Sequence, residues 1–151
     1  PRSRSRQTAL GYEMLSENDR AEINDLLIRV FWLVDNGRAA EVADCFVDDG
    51  EWTFGPGTPK PGTIAGDEMR AFLQVRQAQA NLVTRHALSN ILMEEVVPGE
   101  AKVFSLLTLF RSDDERRSAV PSAVADIHDV VKRGPEGWQL AKRTILPVFH
   151  G

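Results

Sequence analysis

The order of patterns along this 151-residue chain predicts an α+β fold with a mostly antiparallel sheet. Two observations carry that prediction. Helical patterns come first, and four β-rich runs then follow one another, which argues against alternating βαβ units. The first helix is also long, and long strands beside a long helix suggest a sheet curved around it, with a pocket between the two.

The helical part begins at Ser16 in "SENDRAEINDLLIRVFWLVDNG". Ser16 and Asp19 have the spacing of a capping box, with aspartate in place of glutamate. Ile23, Leu26, Leu27, Val30, Leu33 and Val34 recur at helical spacing. Asn36 and Gly37 end the helix, since both tolerate the left-handed conformation. A second, short helix is expected in "RAAEVADCFVDDG", with Ala39, Val42, Ala43 and Phe46 as its buried stripe and Asp48, Asp49 and Gly50 as its stop. "EWTF" then reads as a strand and "GPGTPKPG" as a turn region. "GDEMRAFLQVRQAQA" is the third helix, opened near Asp67.

The β-rich runs are "LVTRHALSNILMEEVV", "AKVFSLLTLF", "AVADIHDVV" and "WQLAKRTILPVF". "PGE" and "RGPEG" separate them as hairpin-like breaks, and "RSDDERRSAVPS" as a longer polar loop.

Composition sets bounds on function. A hydrophobic share of 42% and a charged share of 26% are those of an ordinary globular protein. The length suits one domain, expected over residues 16–151, behind a mobile arm over residues 1–15. A net charge of −4 argues against a nucleic-acid partner. No apolar run approaches the ~20 residues of a membrane helix, so no membrane partner is expected. "PRSRSRQ" is basic but has no apolar segment after it, unlike a secretory signal. Cys45 is alone, which removes a disulfide framework or a cysteine zinc site and makes the cytoplasm the default location. No glycine-rich phosphate loop and no Gly-x-Ser-x-Gly elbow is present.

A few residues carry chemical interest. Asp35 falls in the last helical turn, where the dipole disfavours a carboxylate by ~0.3–1 kcal/mol. It is either a solvated turn residue or a carboxylate held by a donor such as an imidazole. His86 lies in the strand "VTRHALSN". Alternation puts Thr84, His86, Leu88 and Asn90 on one face, expected inward, and Arg85, Ala87, Ser89 and Ile91 on the other. His86 is either a core histidine bonded to a carbonyl or a general base whose second nitrogen a carboxylate holds. Trp52 is a core residue or a pocket donor through its indole N–H. Arg143, mid-strand, would have to meet an anion if turned inward. In "ADIHDVV", Asp126 and His128 share one face, with Ile127 and Asp129 on the other, so one acid points to each side. This spacing is too common to indicate a metal site.

The succession "LVDNG", "DDGEWTFGPGTPKPG", "TRHALSN" and "GWQLAKRTILP" resembles the SnoaL-like branch of the nuclear transport factor 2-like superfamily, over residues ~16–148. The resemblance implies a cone: a bent antiparallel sheet around helices, with a pocket inside. The nearest functional pattern is that of hexachlorocyclohexane dehydrochlorinase, scytalone dehydratase and bile acid 7α-dehydratase. It implies a cofactor-free elimination, with His86 as base, Asp35 as its orienting acid, and Trp52 and Arg143 beside the leaving group. There are departures. Val34 precedes Asp35, and the only tyrosine, Tyr12, is in the arm, whereas scytalone dehydratase acts through tyrosines and a second histidine that has no counterpart here. Thr53 and Phe54 occupy the strand where ketosteroid isomerase carries an aspartate. "TRHALSN", "LFRSDDERR" and "WQLAKRTILP" also look like the non-catalytic β subunits of aromatic-ring-hydroxylating dioxygenases. A small-molecule binding module and a polyketide cyclase or isomerase of the same fold are further alternatives.

The expected substrate is an uncharged alicyclic or polycyclic molecule, since the candidate walls Leu27, Phe31, Phe54, Leu88 and Leu107 are apolar. Asp126 or Asp129 is expected to reach the same pocket. No metal and no cofactor is expected. The apolar content of "VFSLLTLF" on the outer sheet face points to a homo-oligomer, most simply a two-fold dimer.

Overall fold

The computed structural model describes residues 15–115 and 117–150. The arm expected over residues 1–15 therefore lies, apart from Leu15, outside the described residues, as does Tyr12.

Helix α1 spans Glu17–Asp35. Its capping box is complete: the Asp19 amide donates to Ser16 Oγ at 3.0 Å and the Ser16 amide to Asp19 Oδ2 at 3.1 Å. The predicted stripe, with Phe31 added, is buried. Asn36 caps the end and Gly37 follows at φ +76°, where a glycine carries no Cβ penalty. A 3-10 helix, Ala39–Cys45, leads into strand β1, Phe46–Phe54. Strand β2, Gly62–Ala65, then precedes helix α2, Gly66–Ala78. The four remaining strands are β3 Val83–Val97, β4 Glu100–Ser112, β5 Ala123–Gly134 and β6 Gly137–His150.

The six strands form one open, curved sheet in the order β2-β1-β6-β5-β4-β3. Every neighbouring pair is antiparallel except β1 and β6. Helix α1 packs inside the curve against β3 and β6. Its N-terminal turn is tied to the β5–β6 hairpin, because Trp138 donates its indole N–H to Asp19 and its amide to Glu22. The inner face reads as strict alternation in β4 and β5, where Ala101, Val103, Ser105 and Leu107 and then Ala125, Ile127, Asp129 and Val131 are buried.

Three expectations need correction. Asp48, Asp49 and Gly50 do not end a helix; they lie within β1, where the register against β6 shifts between Phe46 and Glu51. A Cβ on Gly50 would come within 2.9 Å of Phe46 Cδ1 and the Val47 carbonyl, so the irregularity needs a glycine. The turn region read over 55–62 is followed by a short edge strand, β2, that its prolines and glycines obscured. In β3, Asn90 does not continue the inward face. It adopts φ +53°, and pairing with β4 shifts between Ser89 and Leu92. One extra residue in β3 inverts the alternation, so Ile91 packs on the core instead, together with Met93.

Candidate active site

The end of α1 meets the start of β3 at Asp35 and His86. His86 Nδ1 lies 2.6 Å from Asp35 Oδ1, the contact expected from the sequence. Asp35 is held at two further points: the His86 amide donates to Oδ2 at 2.9 Å, and Thr84 Oγ1 donates to Oδ1 at 2.8 Å. The carboxylate that α1 would repel from its C-terminus is thus fixed by donors from the neighbouring strand. Its side chain is 7% exposed. Burial pushes the Asp35 carboxyl up, but the hydrogen bonds and charge of His86 and the Thr84 hydroxyl bring it below the ordinary carboxylate value. An ionised Asp35 places the imidazole proton on Nδ1 and leaves Nε2 as the acceptor nitrogen. Nε2 has no hydrogen-bond partner among the described residues.

The His86 ring stacks on Phe31, with centroids 4.5 Å apart and planes 8° from parallel. It borders two spaces. On one side is a groove between α1 and β3, lined by Ile28, Trp32, Asp35 and Arg85. On the other is a cavity of about 230 Å³ inside the sheet, which Asp35 does not line. The imidazole therefore stands between its carboxylate and the cavity. Phe31, Trp52, Phe54, Phe72 and Leu107 make much of the cavity wall, and Gly57, Thr58 and Pro59 come from the turn after β1. Trp52 stacks between Phe46 and Phe54, and its Nε1 is buried with no partner.

The other expected residues divide. Phe31, Phe54 and Leu107 line the cavity, but Leu27 does not: it is fully buried in the core beneath α1. Leu88 borders the groove rather than the cavity. Asp126 is exposed on the outer sheet face beside His128, so strand alternation removes it from the pocket. Asp129 points inward and is 2% exposed, yet it is not on the cavity wall. It is taken up by Arg143, whose Nε and Nη2 each donate to one of its carboxylate oxygens at 2.9 Å. Arg143 is fully buried, with its guanidinium 4.9 Å from the Phe31 ring centroid and its Nη1 unpartnered. It too lies off the cavity wall.

Four polar residues of the cavity wall were not given a role by the sequence: Thr58, Thr84, Arg76 and Arg111. Arg76 Nη2 donates to Thr84 Oγ1 at 2.9 Å, and Arg111 is the cross-strand partner of Thr84. Only Thr84 carried a signal, its shared face with His86; the arginines are brought in by the helix–sheet packing and the β3–β4 register. Among the described residues no group of three or more His, Cys, Asp or Glu side chains is placed to hold a metal ion. No described helix is long and apolar enough to cross a membrane.

Comparison with known proteins supports the same architecture. A scytalone dehydratase-like protein of Novosphingobium aromaticivorans superposes with a TM-score of 0.74 at 19% identity, covering 89% of this chain and 87% of that one. A ring hydroxylase-like protein of the same organism gives a TM-score of 0.75 at 21% identity, covering 90% and 93%. ActVI-ORFA of Streptomyces coelicolor gives 0.72 at 20% identity, covering 85% and 96%. At these identities the likeness is one of fold. No curated protein matches the chain in sequence. The SnoaL-like domain profile matches residues 16–144, almost everything from the α1 cap to the middle of β6, and the chain belongs to the SnoaL-like domain family.

Proposed function

We propose that the protein is a cofactor-independent lyase in which His86, oriented by Asp35, removes a proton from a substrate held in the cavity. The observation that carries this reading is the Asp35–His86 contact of 2.6 Å, with the ring on the wall of a mainly apolar cavity. Nε2 takes the proton from a carbon acid. Asp35 stabilises the imidazolium that forms and keeps the productive tautomer, as the acid does in a hydrolytic triad. As the carbanion collapses, a hydroxide or halide leaves on the Trp52 side of the cavity, where Nε1 is a buried donor without a partner among the described residues and would have to be uncovered to receive it. Arg143, held off the wall by Asp129, acts by fixing Phe31, on which His86 stacks. The fold shared with a scytalone dehydratase-like protein is consistent with elimination, and a polyketide cyclase would be a variant of the same proton chemistry.

The test is a screen of small alicyclic and aromatic compounds for stabilisation, followed by turnover of the hits. His86→Gln should keep binding and lower turnover by roughly 10²–10⁴-fold. Undiminished turnover would remove His86 as the base. A second reading takes support from the ring hydroxylase-like neighbour: a non-catalytic subunit of a ring-hydroxylating oxygenase. It expects no turnover by the isolated protein and full function of His86→Gln beside a catalytic partner.

We also propose a homodimer through the outer sheet face. Leu92 on β3 and Val148 on β6 are 57% and 50% exposed, and Phe104 and Leu106 are only half-covered. Sedimentation showing only monomer at micromolar concentration would overturn this.

A further inference from the structure

The cavity that faces His86 is not uniformly apolar. Among the described residues no aspartate or glutamate lines it, but Arg76 and Arg111 do, in a protein whose net charge is −4. Both arginines are placed beside Thr84. Arg76 comes from the last turn of α2 and donates through Nη2 to the Thr84 hydroxyl. Arg111 comes from the end of β4, directly opposite Thr84 across the antiparallel pair and hence on the same sheet face. Neither guanidinium makes an ion pair among the described residues. Burial lowers the basicity of Arg76; Asp35 opposes that effect from behind Thr84, and Arg111 adds a smaller lowering. Two guanidiniums against the one Asp35 carboxylate leave an excess of one positive charge at this end of the cavity. Arg76 is half-buried and Arg111 exposed, and an incoming anion would balance their charge as it displaces the water that screens them.

We infer that the substrate carries a carboxylate, which Arg76 and Arg111 bind at the Thr84 end of the cavity. This inference rests on the cavity being the substrate site, and it replaces the expectation of an uncharged substrate. A planar monoanion fits better than a phosphate. The guanidinium fork matches a carboxylate edge, and only one charge awaits compensation. The geometry also ties the anion to the chemistry. Thr84 and His86 are two residues apart on the same strand face, about 6–7 Å. A carboxylate anchored at Thr84 therefore places carbons a few bonds away beside His86 Nε2, while the ring system fills the space among Phe31, Trp52, Phe54 and Phe72.

The proposal is tested by calorimetric binding of 2-naphthoate and of its neutral isostere, 2-naphthamide. The wild type should prefer the naphthoate by about tenfold or more at low salt. The Arg76→Met/Arg111→Met double variant should lose that preference. Arg111 is exposed and its guanidinium supports nothing in the fold, so Arg111→Glu should remain folded and favour the amide. His86→Gln should retain the preference for the acid, which separates this proposal from the lyase reading: turnover depends on His86, anion selection on the arginines. Equal binding of the two probes by wild type, binding of neither, or a preference that survives in the double variant would overturn it.

Discussion

Asp129 and Arg143 face each other across β5 and β6, with both side chains fully buried. Asp35 and His86 meet between α1 and β3, with side chains 7% and 13% exposed. Each is an acid paired with a nitrogen base under the same sheet, and their surroundings separate them. The first pair is closed: two parallel hydrogen bonds engage both carboxylate oxygens, and neither residue reaches the cavity. The second is open: Asp35 is held by three hydrogen bonds, but the His86 ring lies on the cavity wall and keeps one nitrogen without a partner among the described residues. The same pairing holds two elements together in one place and, in the proposed function, transfers a proton in the other, depending on whether one partner keeps an unused nitrogen.

Breaking the closed pair should have the largest effect. Arg143→Met leaves Asp129 buried and uncompensated, which costs about 3–5 kcal/mol. Chemical denaturation should show this as a large loss of midpoint. If the loss comes from the stranded charge rather than from packing, adding Asp129→Leu should recover much of it, since apolar replacement of a whole buried pair is often close to neutral. A double variant no more stable than Arg143→Met would mean that the pair is needed for its shape, through Phe31, rather than for its charge balance.

How much of this was legible in the sequence differs between the two pairs. Asp35 was marked by its place in the last turn of a well-patterned helix, and His86 by its apolar neighbours in a strand. The helix cap and strand alternation are local properties, so both positions could be read. That the two meet follows from the packing of α1 on β3, for which the resemblance to a family, not spacing, supplied the expectation. Asp129 and Arg143 were each noticed, but their pairing depends on the β5–β6 register, which no local pattern encodes. Asp126 was retained beside Asp129 because alternation assigns opposite faces without saying which is inner. The Asn90 bulge escaped because a single residue at positive φ leaves no trace in hydrophobic periodicity. β2 escaped because four residues next to two prolines and a glycine resemble a turn.

The open pair should also respond to pH. The Asp35 carboxyl titrates below its ordinary value of 3.8. Its contribution to stability is therefore complete above that value and is lost as pH falls through the lower folded-state value. Asp35→Asn cannot titrate, so its melting temperature should fall less between pH 7 and pH 3 than that of wild type. The same variant should lower turnover on the order of 10²-fold by disturbing the imidazole tautomer. An identical acid sensitivity in the two proteins would show that Asp35 is not anchored as described.

The smallest effect is expected at Thr84, and it measures how much redundancy the open pair has. Thr84→Val keeps the shape of a buried residue and removes one hydrogen bond to Asp35 and one from Arg76. Asp35 still accepts from the His86 amide and ring, and Arg76 still faces the cavity, so no charge is stranded. The loss of stability should be ~0.5–1.5 kcal/mol, that of an ordinary hydrogen bond. Turnover should fall less than in Asp35→Asn, because the tautomer survives. Selection of the acid probe should weaken, because Arg76 loses the partner that aims it. A loss as large as that of Arg143→Met would erase the distinction between the two pairs, making Thr84 as indispensable to the open one as each partner is to the closed.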